Sequence, residues 1–220
     1  MNIIFVASEV GSVRAILPIY KSCINNNLNS FIINHGYFNE IQDDNLKRIN
    51  NYPIEEKAIK NFLFENKIGL VIFSVNIADR LPLIYARVAH SIDIATIHVL
   101  DYWNWYSKRM MLDNKKIFKP DIYAVPDDYA KEKSISEGIN QEIIEVTGQP
   151  AFSTLIDVYN KRIKKRNSNK KNLSELKHIA FVSEPVSADQ GNSIEENINY
   201  RGYTEKDVLR IFFDSIIEYK

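Results

Sequence analysis

Short runs of apolar, mostly β-branched residues recur along this 220-residue chain, separated by stretches with helical periodicity. The opening run, NIIFVA (residues 2–7), is typical of a strand that is buried on both faces. Because such runs alternate with amphipathic stretches, the pattern predicts parallel strands joined by right-handed helical crossovers. The other runs that we assign to strands are residues 30–34, 69–75, 94–100, 121–125, 142–146 and 178–183. The predicted fold class is therefore α/β, a Rossmann-like, three-layer α/β/α domain with a mostly parallel, doubly wound sheet.

Helices are predicted between these strands. The first is expected to begin near Arg14 and to end at about Asn26. This start places Pro18 in the first turn, where an amide donor is not needed. Two further helices are expected near residues 38–49 and 54–66.

The balance of charge and the cysteine count exclude several classes of protein. The 28 basic and 28 acidic residues cancel, so no overall field favours binding to nucleic acid. The single cysteine, Cys23, cannot form an internal disulfide, which is typical of a protein in a reducing compartment. No run of about eighteen apolar residues occurs, and the first ten residues lack the basic start of a secretory signal. We therefore expect a cytoplasmic protein with no transmembrane segment.

The composition changes in the last third of the chain. KRIKKRNSNKKN (residues 161–172) carries seven basic residues and no acidic one, which is typical of a helix end that runs into a solvated linker. A patch that faces phosphates or a membrane is the alternative. The predicted organisation is a domain over residues 1–160, a basic linker over 161–176, and a remnant or the start of a second domain over 177–220. The last helix, opened by a capping box at Thr204, has a wide apolar stripe and is expected to pack on the first domain.

Polar side chains follow most of the predicted strands, at the edge where a parallel sheet places its ligand crevice. Ser8 and Glu9 follow the first strand, and Asp101 follows IATIHVL. Removal of a proton from a hydroxyl needs a positioned carboxylate or imidazole, so Glu9 and Asp101 are the candidate catalytic bases. A turn residue or a helix cap is the structural alternative for each. Arg14 can hold an anion beside the first helix N-terminus, or pair with an acid on the helix surface.

The stretch IATIHVLDYWNWYSKR (residues 94–109) contains both tryptophans of the chain. It begins as a buried strand and becomes a polar, aromatic segment with no glycine or proline between the two parts. Residues just past the end of a strand line the crevice, so Trp103 and Tyr106 are expected to offer a platform for a sugar ring. A surface helix whose aromatic side chains complete a core is the alternative.

Several kinds of site have no support in the sequence. The four histidines have no spacing that builds a metal centre, and one cysteine cannot add to it. A Walker loop, a GxGxxG motif and a nucleophile elbow are all missing. We therefore predict no metal and no cofactor. What the sequence does predict is a rim of hydrogen-bonding and aromatic groups at the carboxyl edge, which is suited to a sugar or a nucleotide sugar.

Four segments of the chain, in this order, carry a family resemblance: VASEVGSVRAILPIY, IHVLDYWNWYSKR, PDIYAVPDDYAKEKSISEGI and IIEVTGQPAFSTL. Over about residues 2–160 they resemble the N-terminal domain of GT-B type glycosyltransferases and of their relatives, the UDP-N-acetylglucosamine 2-epimerases. The second segment occupies the place of the epimerases' His-Val-Glu-Ala-Gly-Leu-Arg motif. There His98, Val99 and the spacing from an acid to Arg109 match loosely, and the glycine is missing. FVSEP (residues 181–185) resembles the first strand and loop of the second domain.

The resemblance implies the acceptor-binding half of a GT-B glycosyltransferase of sugar or polysaccharide biosynthesis, active as an enzyme once a donor domain completes it. The alternatives are a non-catalytic sugar- or nucleotide-binding module that needs a donor-domain partner, and a nucleotide-sugar epimerase or hydrolase relative. The implied partners are a sugar or nucleotide-sugar ligand, and a second copy of the chain or a separate donor-domain subunit. Peripheral contact with a membrane stays an alternative. Together with the rim residues, the predicted substrate-binding set is Ser8, Gly11, Arg14, Ser74, Asn76, His98, Trp103, Tyr106, Arg109, Gly148, Gln149 and Glu184.

Overall fold

The first of two compact units is built around one parallel β-sheet. The structure is a computed structural model, and it describes residues 1–112, 115–168 and 180–218. The first unit comprises Met1–Arg166 and the second Asn167–Lys220. The strands are β1 (Asn2–Val6), β2 (Ser30–Ile33), β3 (Arg48–Ile49), β4 (Ile68–Phe73), β5 (Ala95–Val99), β6 (Ile122–Val125) and β7 (Ile144–Val146). All neighbouring strands run parallel, which confirms the predicted sheet.

The order of the strands places a ligand crevice beside β1. Across the sheet the order is β3-β2-β1-β4-β5-β6-β7. The chain therefore winds outward in one direction from β1 to β3 and in the other from β4 to β7. In open α/β sheets, ligands bind outside the carboxyl ends of the strands at the point where this direction switches. Here that point lies between β1 and β4.

Each face of the sheet is covered by helices. Successive residues of a strand point to opposite faces, so Phe5 packs with α1 (Val10–Asn25) on one side. Val6 belongs to the core on the other side, with α2 (Glu56–Glu65) and α3 (Leu81–His90). Because both faces of β1 are buried, its sequence is a continuous apolar run rather than an alternating one. The three-layer α/β/α architecture predicted from these runs is confirmed.

The remaining helices of the first unit follow β5, β6 and β7. They are α4 (Tyr106–Arg109), α5 (Asp128–Ser136) and α6 (Ala151–Ser168). Asp127 caps α5 as predicted, because its carboxylate accepts a hydrogen bond of 2.7 Å from the Ala130 amide. The predicted start of the first helix is wrong: α1 begins at Val10, so Pro18 lies inside it. The helix tolerates this proline with the loss of the one amide hydrogen bond that would end at Arg14.

The helix predicted near residues 38–49 is also wrong. The chain makes a short 3₁₀ turn over Gly36–Glu40 and then the edge strand β3. Arg48 of β3 donates to Asn34 Oδ1 at 2.9 Å and to the carbonyls of Phe38 and Ile41. A two-residue strand held by an arginine has no apolar run, so nothing in the local sequence pattern marks it.

The last predicted strand, residues 178–183, is not found where the chain is described. Residues 180–183 have no strand structure, and residues 178 and 179 lie outside the described residues. The sheet still has seven strands among the described residues, because it contains β3, which was not predicted.

The described residues of the second unit include the helices α7 (Val186–Gln190) and α8 (Glu205–Glu218). Gln190 is buried, and it donates to the Tyr203 carbonyl at 2.6 Å. The Thr204 amide donates to the Asp207 carboxylate at 2.8 Å, which confirms the predicted start of the last helix. No helix among the described residues is long and apolar enough to cross a membrane. The predicted domain boundaries, the linker over 161–176 and the packing of the last helix on the first domain stay predictions.

Candidate functional site

The loops after β1 and β4 meet at the switch point of the sheet. Ser8 follows β1 and Asn76 follows β4, and both side chains are buried. The Asn76 amide donates to Ser8 Oγ at 3.4 Å, and its oxygen accepts from the Asp79 amide at 2.6 Å. These bonds hold the two loops side by side at the carboxyl edge.

The loop after β2 packs closely against Ser8, in the loop after β1. The Tyr37 amide donates to the Ser8 carbonyl at 2.6 Å. Gly36 has φ +55°, and a Cβ atom there would lie 2.3 Å from the Ser8 carbonyl oxygen. Only glycine combines this left-handed backbone with so close an approach.

A buried ion pair forms the floor of the site. Asp101, just past β5, is paired with Arg109 of α4, and the side chains are 10% and 5% exposed. Arg109 also donates to the Val75 carbonyl at 2.9 Å and to the Asn104 carbonyl at 3.1 Å. The guanidinium therefore joins the ends of β4 and β5 to the loop between β5 and α4. Such a pair is costly to break, because one removed partner leaves a buried charge uncompensated.

The start of α1 approaches the other oxygen of Asp101. Ser12 Oγ donates to Asp101 Oδ2 at 3.1 Å. A Cβ atom on Gly11 would lie 2.9 Å from that same oxygen, so a side chain at position 11 would push against a held carboxylate. The Gln149 side chain donates to the Asp101 carbonyl at 3.0 Å. Four of the predicted site residues (Gly11, Asp101, Arg109 and Gln149) thus lie in one hydrogen-bonded neighbourhood.

A cavity of about 280 Å³ opens above this ion pair. Its lining residues are Glu9, Gly11, Asn76, Ile77, Asp101, Tyr102, Trp105 and Arg109. Glu9 is exposed at the N-terminus of α1, and its side chain makes no capping hydrogen bond to the described helix. The cavity therefore presents two carboxylates, an amide and aromatic rings, which is a set suited to hydrogen-bonding the hydroxyl groups of a sugar. Both predicted bases, Glu9 and Asp101, are present in it.

The aromatic residues that line the cavity are not the predicted ones. Tyr102 and Trp105 are 59% and 49% exposed. Trp103 points elsewhere: its Nε1 donates to the Asp127 carboxylate at 2.6 Å, and its ring stacks on Phe152 at 6.2 Å between centroids. Tyr106 is buried in the core. Trp103 and Tyr106, the residues predicted to offer a sugar platform, therefore do not line this cavity, and Tyr102 and Trp105 line it instead.

Two more predicted residues lie in the core rather than at the rim. His98 sits in a row of aligned residues across the sheet, between Phe73 of β4 and Tyr123 of β6. The centroids of these rings lie 5.2 and 4.6 Å from the His98 ring. Ser74 is likewise fully buried, with no hydrogen-bond partner for its hydroxyl among the described residues. Both are corrections, because these side chains face the packed interior and not the cavity.

Burial also sets the charge of His98. Desolvation, with a smaller effect of the Arg109 charge, holds the pKa of His98 well below its usual 6.5. Neither ring nitrogen has a hydrogen-bond partner among the described residues. The imidazole is therefore neutral and inert toward a ligand in this cavity.

Among the other predicted residues of the first unit, Ser8, Arg14, Gly148 and Gln149 do not line this cavity. Arg14 lines a separate, mostly apolar cavity of about 470 Å³ between α1 and the start of α6, where Phe152 and Leu155 also lie. Gly148 has φ +85°, and apart from its chain neighbours no described residue has an atom within 4 Å of the place where its Cβ would be. Glu184 belongs to the second unit and is exposed.

A further polar cluster at the carboxyl edge was missed by sequence reasoning. His35 contacts Asp79 Oδ2 at 2.5 Å through Nε2 and Tyr52 Oη at 2.9 Å through Nδ1. Burial raises the pKa of Asp79, but hydrogen bonds from the Leu81 amide, His35 and Ser8 outweigh it and hold the pKa below its usual 3.8. These residues follow different strands, so their meeting has no signature in local spacing. In the described parts of the chain, no group of three or more His, Cys, Asp or Glu is placed to hold a metal ion.

Comparison with known proteins rests on structure, because the sequence matches no family model and no curated protein. Solved structures of the same fold include UDP-GlcNAc 2-epimerases. The enzyme from Methanocaldococcus jannaschii is 17% identical, with a TM-score of 0.52, over 81% of this chain and 54% of that one. The Neisseria meningitidis enzyme, bound to UDP-GlcNAc, is 16% identical, with a TM-score of 0.52, over 78% and 53%. The Rickettsia bellii enzyme is 13% identical, with a TM-score of 0.52, over 75% and 49%.

The chain therefore shares its fold with part of these UDP-GlcNAc 2-epimerase structures. This confirms the resemblance predicted from the sequence segments at the level of fold. The chain spans about half the length of these solved structures. At this identity the likeness concerns the fold alone.

Proposed function

We propose that the chain is the sugar-binding, acid–base half of a nucleotide-sugar enzyme, acting in the manner of an epimerase. The observation that carries this proposal is the buried Asp101–Arg109 pair, which opens onto a cavity at the switch point of the sheet. Glu9 and Asn76 line the same cavity. Such a site holds a polar ring by hydrogen bonds and offers carboxylates for proton transfer.

The two carboxylates of the cavity differ in how they are held. Asp101 is fixed by Arg109 and Ser12, so it accepts hydrogen bonds from a ligand in one orientation. Glu9 is exposed at the rim, and its side chain makes no capping hydrogen bond to α1. It can therefore exchange protons with solvent. Inversion at C2 by proton transfer takes a proton from one face of the ring and returns one to the other face. The C–H electron pair is taken up as the C1–O bond to the diphosphate breaks, and both bonds form again when the diphosphate and the proton return. A fixed carboxylate and an exposed one at the same cavity support the two proton transfers.

The comparisons support a nucleotide sugar as the ligand. The solved structures that share the fold are named UDP-GlcNAc 2-epimerases, and the Neisseria meningitidis structure is bound to UDP-GlcNAc. Because this chain spans about half their length, we propose that a second domain or a separate donor-domain subunit holds much of the nucleotide. A homodimer, a cytoplasmic location and peripheral contact with a membrane stay predictions.

Glycosyl transfer, with this chain as the acceptor-binding half, is the second candidate. Among the described residues that line the cavity, Arg109 is the one cation, and its guanidinium is already engaged by Asp101 and two carbonyls. This lining suits an uncharged acceptor hydroxyl, which needs only a positioned base. The same residues would serve that reaction, with Asp101 or Glu9 as the base.

Saturation-transfer NMR with UDP-GlcNAc and the purified chain tests the proposal. We expect binding with a Kd on the order of 1 mM, since one half of a site supplies about 4 kcal/mol. Asp101→Asn removes a charged acceptor and is expected to weaken binding at least about tenfold. Glu9→Gln, which changes an exposed side chain and leaves the ion pair intact, is expected to weaken binding less.

Hydrogen exchange separates the two candidates. In D₂O, epimerase chemistry replaces the proton at C2 of the sugar by deuterium, so its ¹H signal disappears over time. Loss of this signal would support the epimerase-like reaction over glycosyl transfer, which leaves the C2 proton in place. If the wild-type chain does not bind UDP-GlcNAc at millimolar concentration, the proposed nucleotide-sugar function is wrong.

A further inference from the structure

We infer that Trp105 is the residue on which an uncharged ligand ring stacks, and that it sets the specificity of the site. This inference rests on the proposed function, because it names the ring of the same ligand that Trp105 contacts. Trp105 lines the cavity with half of its surface exposed. A large aromatic face at the mouth of a polar cavity is suited to the C–H bonds of a sugar ring, which carry slight positive charge toward the negative face of the indole.

The backbone of Trp105 supports this role. Its φ is +57° and its ψ is +44°, the left-handed region that bulky residues avoid. The side chain of Trp105 is half exposed, so packing in the core does not explain why a tryptophan occupies this position. Strained backbone of this kind persists where the surrounding structure holds it, and it is concentrated at ligand-binding positions.

The surrounding structure does hold this loop. The Asn104 side chain accepts from the Trp105 amide at 2.8 Å, and Arg109 Nε donates to the Asn104 carbonyl at 3.1 Å. The Arg109 amide donates in turn to the Trp105 carbonyl at 3.2 Å. The arginine that fixes Asp101 therefore also holds the backbone at Trp105, so the carboxylate and the Cα atom that carries the ring belong to one hydrogen-bonded unit.

The charges that line the cavity and the accessible face of the Trp105 ring limit which kind of ligand ring can bind. Glu9 and Asp101 carry two negative charges, and Arg109 is engaged with Asp101 and carbonyls, so the lining disfavours phosphate groups. The Lys108 ammonium lies 5.5 Å from the Trp105 ring centroid, which covers one face and leaves the opposite face for a single ring. A pyranose ring with free hydroxyls satisfies these conditions, and a diphosphate does not.

Three variants, tested with N-acetylglucosamine and with UDP, examine the inference. Trp105→Gly is expected to lower saturation transfer to the sugar at least about fivefold. Its melting temperature should stay within roughly 2 °C of wild type, since relief of the backbone strain offsets the greater freedom of glycine in the unfolded chain. Trp105→Phe keeps an aromatic face and is expected to retain binding within about threefold. A tryptophan with a purely structural role would instead lower the melting temperature in Trp105→Gly.

Tyr129→Ala is the matched control. Tyr129 is 58% exposed and has the Lys133 ammonium 5.6 Å from its ring centroid, but it lies in helix α5 and outside the cavity. Its loss is expected to leave saturation transfer unchanged. If the Trp105→Gly variant binds the sugar as wild type does, the inference is wrong.

The two ligands distinguish a failed inference from a failed function. If UDP, through its uracil protons, depends on Trp105 while N-acetylglucosamine does not, the inference is overturned and a nucleotide-sugar function stands. If UDP-GlcNAc, N-acetylglucosamine and UDP all fail to bind the wild-type chain, the proposed function falls and the inference falls with it.

Discussion

The segment between His98 and Arg109 has an inner and an outer side, and the two sides are built for different tasks. On the inner side, His98, Tyr106 and Arg109 are buried. On the outer side, Tyr102 and Trp105 are about half exposed and line the cavity. The inner residues fix the shape of the loop, and the outer residues are left free to contact a ligand.

The two tryptophans show the difference within three positions. Trp103 has a hydrogen-bond partner in Asp127 and a stacking partner in Phe152. Trp105 has a left-handed backbone and an exposed ring. Trp103 therefore packs against its neighbours, whereas the ring of Trp105 is free to contact a ligand. Substitution of Trp103 should change stability, and substitution of Trp105 should change ligand binding.

Removal of the inner arginine should have the largest effect. Arg109→Ala leaves the Asp101 carboxylate buried without its partner and releases the Val75 and Asn104 carbonyls. We expect a loss of about 3–5 kcal/mol in the free energy of unfolding, measured by urea denaturation. The double variant Asp101→Asn with Arg109→Met removes both charges and should lose less. A loss below about 1 kcal/mol in the single variant would show that the pair does not hold the loop.

The buried histidine should make stability depend on pH. The folded pKa of His98 is depressed, so below about pH 6.5 the unfolded chain binds a proton that the folded chain does not. Its contribution is fully present above that pH and is lost as the pH falls toward the folded pKa. Between pH 6.5 and 5.5 we expect it to cost about 1 kcal/mol of stability.

Replacement of the histidine isolates this contribution. In His98→Phe, which keeps a ring between Phe73 and Tyr123, the difference in stability between pH 6.5 and 5.5 should shrink by that amount. An unchanged slope in His98→Phe would contradict a neutral, buried imidazole.

The smallest effect on the inner side is expected at Trp103. Trp103→Phe keeps a ring to stack on Phe152 but removes the hydrogen bond to Asp127. We expect a loss of about 1 kcal/mol in the free energy of unfolding, and unchanged saturation transfer to N-acetylglucosamine. If this variant instead lost sugar binding at unchanged stability, the assignment of Trp103 to the inner side would be reversed.

Much of the fold could be predicted from local patterns. The apolar runs that became β1, β4 and β5 are buried on both faces, so their continuous hydrophobicity was informative. The edge strand β3 was missed because its two residues are held by the contacts of Arg48 and not by an apolar pattern. The predicted strand at residues 178–183 failed in its described part, which shows that an apolar run alone does not make a strand.

The site could be predicted less well than the fold. Spacing placed Asp101 and Glu9 at the carboxyl edge, because parallel strands bring their ends together. Spacing did not show which aromatic side chains face the cavity. Trp103, Trp105 and Tyr106 lie within four positions, and their directions depend on the left-handed turn at Trp105 and on the partners Asp127 and Phe152.

The sequence by itself determined the alternation of strands and helices, and with it the edge where polar residues gather. That information is local, because burial of one or both faces of a helix or strand sets the spacing of apolar residues within that element. Only the tertiary structure decided that His98 is buried, that Arg109 holds Asp101, and that Trp105 faces the cavity. These outcomes depend on tertiary contacts, such as that of Arg109 with the Val75 carbonyl, and such contacts leave no period in the sequence.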